Sequence, residues 1–327
     1  MNIITKLQCP VCYGRLIKKK KICCEQCKRD FKINHGIIDL LVKSQDIQKE
    51  INENKEVAEK RKKKSDDWLL SLPCADNFGN EKHPIINQGY KANVLQALNL
   101  VNVKGKSILE IGAGTCWTTA LLAEAGADVV ATDISAEKYV GLESGEVFFK
   151  HKTVFFERVL CSMETLPFQN KSFDIVFVNA AIHHAPDINL TFKEIARVLK
   201  EEGIYIQTNE PVSSIFSKSH KINIQKAKAA GMDVSENWNE NSYSLIKYKD
   251  LLKHNGFRYI QVIFPESFDM LLRNATHEMI YGYKKKIKSI ISKVWGFKLC
   301  KQIMSSSIIF NLSLYVFGGN CIIIGKK

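Results

Sequence analysis

The chain has 327 residues, of which 45% are hydrophobic and 25% charged, the composition of an ordinary globular protein. This composition excludes collagen-like, low-complexity and wholly disordered chains. No run of eighteen apolar residues occurs, and the first residues lack the apolar core of a secretion signal. We therefore expect a cytoplasmic protein with no transmembrane span.

The net charge of +13 is concentrated at the two ends of the chain. Residues 1–43 carry ten basic and three acidic residues, and residues 266–327 carry the same numbers, so the middle is nearly neutral. Two basic ends on a neutral body favour an anionic partner, such as an anionic acceptor, RNA or a membrane surface. Lysines that merely keep the surface soluble are the alternative.

Two Cys-x-x-Cys pairs, Cys9/Cys12 and Cys24/Cys27, lie in the first 43 residues, with eleven residues between them. Each pair on a tight turn directs two thiolates to one centre, which predicts a structural Zn²⁺ in a ribbon formed by residues 1–43. A segment this short cannot build a sufficient core alone, so a metal explains how it folds. Cys23 competes with Cys24, but the spacing favours Cys24. A redox-active Cys-x-x-Cys pair is the alternative, but the βαβ pattern that surrounds such pairs is missing here.

Residues 44–66 are highly charged and predict a linker or a helix, and residues 67–327 predict a single α/β domain. Strand and helix patterns alternate along this domain, which favours a Rossmann-like, doubly wound and mostly parallel sheet. A helical insert at 266–318 precedes the last strand. The predicted strands are 107–111, 128–133, 173–178, 203–208, 259–264 and 321–324, and the predicted helices are 117–125, 190–200 and 248–254.

A glycine-rich turn follows the strand 107–111 and opens a helix. Gly112 permits the tight turn, and Gly114 lets the backbone approach a ligand closely. Asp133 ends the next strand about twenty residues on, where a carboxylate can bind ribose hydroxyls. The arrangement predicts a site for a nucleotide-like cofactor.

Several ordered segments between residues 107 and 209 carry a family resemblance. They are Ile108-Leu109-Glu110-Ile111-Gly112-Ala113-Gly114, Asp133-Ile134-Ser135, Met163-Glu164-Thr165-Leu166-Pro167-Phe168, Ser172-Phe173-Asp174, Ala181-Ile182-His183-His184-Ala185-Pro186-Asp187 and the stretch 194–203. This part of the chain resembles class I S-adenosylmethionine-dependent methyltransferases of the small-molecule type. The resemblance implies a seven-stranded sheet and S-adenosylmethionine as cofactor. It implies these cofactor-binding residues: Glu110, Gly112, Ala113, Gly114, Asp133, Ile134, Ser162, Met163 and Asn179.

Two positions depart from the family pattern. Cys116 stands where the family usually has a third glycine, and Ser162 replaces the aspartate that usually contacts the adenine amino group.

At the other end of the chain, residues 7–41 resemble the zinc ribbons of the tRNA-methyltransferase activator type. Such ribbons occur fused to methyltransferases.

His183 and His184 follow the strand 173–178, at the edge of the sheet where ligands bind. If the acceptor is a hydroxyl, one of them can act as general base; packing against the sheet is the alternative. Glu210, after the strand 203–208, is a candidate to face the substrate. The Asn/Asp-Pro-Pro-aromatic tetrad typical of methylation at exocyclic amines is absent, which favours an oxygen atom as the methyl acceptor.

We therefore predict methyl transfer to a small-molecule or glycan-like acceptor, either free or carrier-linked. An RNA methyltransferase whose ribbon binds RNA, and an adaptor that binds the cofactor without turnover, are the alternatives. Within the insert, residues 281–297 have a basic amphipathic pattern that suits peripheral membrane contact or a lipid-linked acceptor, or else packs on the body.

Overall fold

The computed structural model describes residues 3–18, 21–73, 84–217, 240–267, 312, 314–315 and 319–327. Most of the predicted insert, including its amphipathic segment 281–297, lies outside these residues, as do Cys74 and Cys300. Among the helices of the described ranges, none is both long and apolar enough to cross a bilayer.

The described residues form thirteen strands and seven α-helices. The strands are β1 Leu16–Lys18, β2 Ile22–Cys24, β3 Asp30–Phe31, β4 Ile33–Asn34, β5 Ile37–Asp39, β6 Ser107–Ile111, β7 Asp128–Asp133, β8 Glu157–Leu160, β9 Phe173–Asn179, β10 Leu199–Ser213, β11 Tyr243–Ser244, β12 Tyr259–Ile263 and β13 Gly319–Lys326. The helices are α1 Gln45–Arg61, α2 Asp66–Ser71, α3 Pro84–Leu100, α4 Trp117–Glu124, α5 Gly145–His151, α6 Ile188–Val198 and α7 Leu245–His254.

The main sheet has the strand order β12-β13-β10-β9-β6-β7-β8-β5-β4, and β11 pairs with β10. The strands from β10 to β5 are parallel to their neighbours, and β13 is antiparallel to both β10 and β12. The seven strands from β12 to β8 form the predicted Rossmann-like sheet. From β6 the chain first builds outward through β7 and β8, and it then crosses to β9 on the other side of β6. Ligands bind at such a reversal, so the carboxyl ends of β6 and β9 mark the expected site.

The N-terminal block does not stand apart from this sheet. Its strands β1, β2 and β3 form a small antiparallel sheet, but β5 pairs in parallel with β8, and β4 continues beyond it. Leu7 also bridges to Phe168, and the Gln8 amide donates to the Pro167 carbonyl. The block therefore extends the body's sheet by two strands and packs against its β8 edge.

The predicted strands and helices are present, with ends shifted by a few residues, except that β10 is much longer than expected. Its 15 residues run beyond the predicted 203–208 at both ends. The charged segment contains α1, whose start is capped by the Ser44 side chain accepting from the Ile47 amide. Sequence reasoning did not predict β8 or α5. β8 has only four residues, two of them charged, so it lacks the apolar run that marked the other strands.

Candidate functional site

The glycine-rich turn leaves β6 at the centre of the sheet edge. Gly112 has φ +69° and Gly114 has φ +50°, in the left-handed region that glycine adopts at little cost. A side chain at Gly112 would overlap the Cβ of Ala181. The Gly114 amide donates to Asp133 Oδ2 at 2.8 Å, and the Ala113 amide donates to the Thr132 carbonyl at 2.9 Å. These contacts fix the predicted Gly112–Gly114 segment against the end of β7.

Cys116, which replaces the family's usual glycine, directly precedes α4. Its φ of +62° lies in the left-handed region, and its side chain is fully buried. A residue with a Cβ is strained in this conformation, so a glycine at this position would relieve backbone strain as well as allow close packing. The thiol lies 3.6 Å from the Gly114 carbonyl oxygen and packs beneath the turn.

Asp133 is half-buried at the end of β7, and both of its carboxylate oxygens already accept a backbone hydrogen bond. Oδ2 accepts from Gly114 and Oδ1 from the Ser135 amide, each at 2.8 Å. Burial raises the pKa of this carboxyl to about 6. The second lone pair of each oxygen remains for a ligand, as the predicted ribose contact requires.

Glu110 lies on β6, two residues before Gly112 along the chain. It is fully buried on β6, and its carboxyl accepts a hydrogen bond from the Thr119 hydroxyl on α4. Burial raises the pKa of Glu110 to about 8. This hydrogen bond therefore connects α4 to β6 beneath the predicted cofactor site.

Asn179, at the end of β9, is held by a chain of amide and hydroxyl groups. Its Oδ1 accepts from Thr208 Oγ1 at 2.9 Å and from Asn209 Nδ2 at 2.7 Å, and its Nδ2 donates to Thr118 Oγ1 at 3.1 Å. Asn209 Oδ1 in turn accepts from Asn93 Nδ2 on α3 at 2.7 Å. This network of hydrogen bonds joins β9, β10, α3 and α4 beneath the predicted cofactor site.

The remaining predicted cofactor residues lie on the β7 and β8 side. Ile134 is half-buried directly after Asp133, and the amide of Cys161 donates to the Asp133 carbonyl at 2.9 Å. Ser162 is buried, and its hydroxyl accepts from the Glu164 amide at 3.2 Å. This places Ser162 and the half-buried Met163 immediately beside the end of β7.

His183 lies in a short turn after β9, and Glu210 fixes both the turn and the ring. Glu210 is fully buried, so it does not face a substrate as its position in the sequence suggested. Oε1 accepts from the amides of Ala181 at 2.5 Å and Ile182 at 2.8 Å, and Oε2 accepts from the His183 amide at 3.2 Å. A carboxylate that accepts these bonds also accepts from His183 Nδ1, 2.7 Å from Oε2. Burial lowers the pKa of His183, but the charges of Glu210, Glu240 and Glu50 and the hydrogen bond to Glu210 outweigh burial and raise this pKa overall.

Two further carboxylates surround the histidine pair. The rings of His183 and His184 are 4.2 Å apart between centroids. His183 Nε2 lies 3.7 Å from Glu240 Oε2, and His184 Nδ1 lies 3.7 Å from Glu50 Oε1 on α1. Burial, and then the charges of Asp133 and Glu240, raise the pKa of Glu50 to about 8. No sequence pattern pointed to Glu50 or Glu240, which are far from the histidines along the chain.

The four predicted zinc ligands come together in the N-terminal block. One sulfur from each of Cys9, Cys12, Cys24 and Cys27 lies within 4.8 Å of the others. The Cys9–Cys27 and Cys12–Cys24 sulfur distances are 3.7 and 3.5 Å, close to the ~3.8 Å edge of a tetrahedron with Zn–S bonds of ~2.3 Å. Cys23 lies outside this set, with its sulfur 3.6 Å from the Cys24 carbonyl oxygen.

The order of the strands and the turn at the carboxyl edge of β6 define a class I S-adenosylmethionine-dependent methyltransferase. Residues 109–207 match the family described as a methyltransferase domain, and this match supports the same class. The predicted enzyme class and fold are therefore confirmed.

Curated relatives agree with this class. The chain is 27% identical over 195 residues to a demethylmenaquinone methyltransferase of Staphylococcus haemolyticus, which covers 56% of this chain and 78% of the relative. It is 24% identical over 217 residues to a malonyl-[acyl-carrier protein] O-methyltransferase of Gallionella capsiferriformans, covering 65% and 70%. Against demethylmenaquinone methyltransferases of other staphylococci, the chain spans only 50–57% of their length.

Among solved structures, the YcgJ protein from Bacillus subtilis is similar, with 17% identity and a TM-score of 0.48. The match covers 72% of this chain and 97% of that protein.

Proposed function

We propose that the chain transfers a methyl group from S-adenosylmethionine to an oxygen atom of a small-molecule or carrier-linked acceptor. The observation that carries this proposal is the shared edge of the sheet. The glycine turn, Asp133 and Asn179 lie there beside the His183–His184 pair. The names of the curated relatives, a quinone methyltransferase and a carrier-protein O-methyltransferase, support an acceptor of this kind.

The residues present fit the cofactor. Gly114 leaves open space, since a Cβ there would meet nothing closer than the Val140 carbonyl at 3.5 Å. Asp133 offers one spare lone pair on each carboxylate oxygen to ribose hydroxyls, and Met163 and Ile134 offer half-buried apolar surface next to it. When bound, S-adenosylmethionine supplies a methyl group on a positively charged sulfur, which leaves as a neutral thioether when an acceptor oxygen attacks the methyl carbon and gives up its proton.

The chain's own contribution is position and activation. The Asn93–Asn209–Asn179 contacts hold the floor of the site rigid, so that an acceptor is oriented at little entropic cost. Glu210 orients the His183 ring through Nδ1, so Nε2 lies at the acceptor edge, 3.7 Å from Glu240 Oε2. When the ring is neutral, Nε2 can take the hydroxyl proton, which is the predicted general-base role.

The N-terminal block would hold one structural Zn²⁺ through Cys9, Cys12, Cys24 and Cys27. Each Cys-x-x-Cys pair forms a turn closed by a backbone bond, from the Tyr13 amide to the Cys9 carbonyl and from the Lys28 amide to the Cys24 carbonyl. With four thiolate ligands the metal has no open position, so its role is to stabilise the fold.

The test incubates the purified chain and labelled S-adenosylmethionine with three acceptors: a hydroxylated quinone in its reduced form, malonyl-loaded acyl carrier protein, and bulk RNA. We expect label on the first or second acceptor, in an ether or ester that mass spectrometry locates on oxygen. Label on RNA alone would replace the proposed acceptor by the nucleic-acid alternative. Binding of the cofactor with no transfer to any of the three would contradict the proposal and favour the adaptor.

A further inference from the structure

We infer that His183, His184 and Glu240 form a binding site for one divalent first-row transition-metal ion at the acceptor edge. One ligand atom from each residue lies within 4.8 Å of the other two. A metal shell with bonds of ~2.1 Å places neighbouring ligand atoms ~3.0–3.4 Å apart, so side-chain shifts of about 1 Å close the set around an ion.

The distances within the cluster suit a shared cation. His183 bonds to Glu210 through Nδ1, which leaves Nε2 on the side of the Glu240 carboxylate, 3.7 Å away. A metal ion bound by both atoms takes the place of the proton that a charged imidazole carries on Nε2. His184 Nδ1 and Glu50 Oε1 face each other at the same 3.7 Å, which adds a fourth donor atom beside the set.

Glu210 supplies the support that histidine ligands usually have. A metal-bound imidazole typically donates its other N–H to a carboxylate, which fixes the ring and raises its basicity. Glu210 does this for His183 at 2.7 Å, and it is itself held by three backbone amides of the turn that carries the ring. His183 is therefore oriented before any ion arrives.

The mixture of two imidazole nitrogens and carboxylate oxygens selects the kind of ion. All-oxygen sites suit Mg²⁺ and Ca²⁺, whereas a mixed nitrogen and oxygen set favours Mn²⁺, Fe²⁺, Co²⁺, Ni²⁺ or Zn²⁺. Two or three protein ligands leave positions open to an acceptor. An ion here would polarise the acceptor hydroxyl and make its proton easier to lose, a role that rests on the proposed methyl transfer.

The experiment is calorimetric titration of Mn²⁺, and separately Ni²⁺, into the tag-free full chain with its ribbon already loaded with zinc. We expect one ion per chain, and at least tenfold weaker binding in the variants Glu240→Gln and His184→Ala. His254→Ala, an exposed histidine on α7, is the matched control and should bind as the unaltered chain does. Unchanged zinc content and affinity for S-adenosylhomocysteine in each variant show that it is folded.

The absence of binding by both ions, or equal binding in the folded Glu240→Gln and His184→Ala variants, overturns the inference. Methyl transfer that proceeds at full rate in a protein shown to bind neither ion leaves the proposed function standing without the metal. Ion binding that depends on Glu240 and His184, in a chain that transfers no methyl group, confirms the site and refutes the proposed function. The two failures are therefore distinguishable.

Discussion

Replacing Asp133 by asparagine should weaken cofactor binding for a reason visible in its contacts. Both carboxylate oxygens accept a backbone N–H, from Gly114 and from Ser135, each at 2.8 Å. An amide keeps only one oxygen, so its NH₂ group must face one of these two donors. The variant thus loses one ribose acceptor and also sets donor against donor in the turn.

The magnitude follows from the number of bonds lost. A hydrogen bond to a charged group contributes ~1.5–3 kcal/mol. Losing one such bond in Asp133→Asn should weaken binding of S-adenosylmethionine by about tenfold to 100-fold. Asp133→Ala removes both ribose acceptors, ~3–6 kcal/mol, and should weaken binding by about 10²–10⁴-fold.

The assay is isothermal titration calorimetry with S-adenosylmethionine, with the melting temperature of each variant as a check on folding. Asp128→Asn is the control, since Asp128 is exposed at the opposite end of the same strand. An unchanged dissociation constant in a folded Asp133→Ala variant would refute the placement of the cofactor site at β7.

The zinc ligands, the ionisation of Asp133 and the strain at Cys116 can each be tested in turn. Cys12→Ser should lower the zinc content from about one ion per chain and lower the melting temperature, as elemental analysis and calorimetry would show; a full complement of zinc contradicts the four-thiolate site. With the pKa of Asp133 at about 6, ribose binding needs the ionised carboxyl, so cofactor affinity should fall about tenfold per pH unit below pH 6 and level off above it. Titrations of wild type and Asp133→Asn from pH 5 to 8 test this, and a wild-type profile as flat as the variant's argues against it. Cys116→Gly should be more stable than Cys116→Ala by about 1 kcal/mol, because glycine relieves the left-handed φ of +62°; chemical denaturation giving the reverse order would disprove the strain.

The parts of the site that the sequence predicted are those set by local chain geometry. The turn at Gly112–Gly114 and the acid at Asp133 are read from the strand–turn–helix pattern, because the residues that make the turn are neighbours along the chain. The four cysteines were predicted for the same reason, since each pair closes its own turn.

The acceptor edge depends on how distant segments pack, and the sequence predicted it only in part. His183 and His184 follow a recognisable strand, but Glu50 lies on a helix whose charged sequence resembles a solvated linker. Its partner is 134 positions away, and no periodicity reports which face of α1 lies against the body. Glu210 lies inside β10 and not after it, and its predicted role was wrong because burial of a carboxylate beneath a turn depends on tertiary packing.

The pairing of β5 with β8 has a consequence for the order in which the protein assembles. Ile37 lies opposite Arg158, so the ribbon leaves the ribosome long before the strand it will join has been made. A Zn²⁺ bound by the two Cys-x-x-Cys turns would order those turns early in synthesis, whereas closing so long a loop is slow. Once β8 is made, its pairing with β5 covers an edge that would otherwise be open to strands of neighbouring chains.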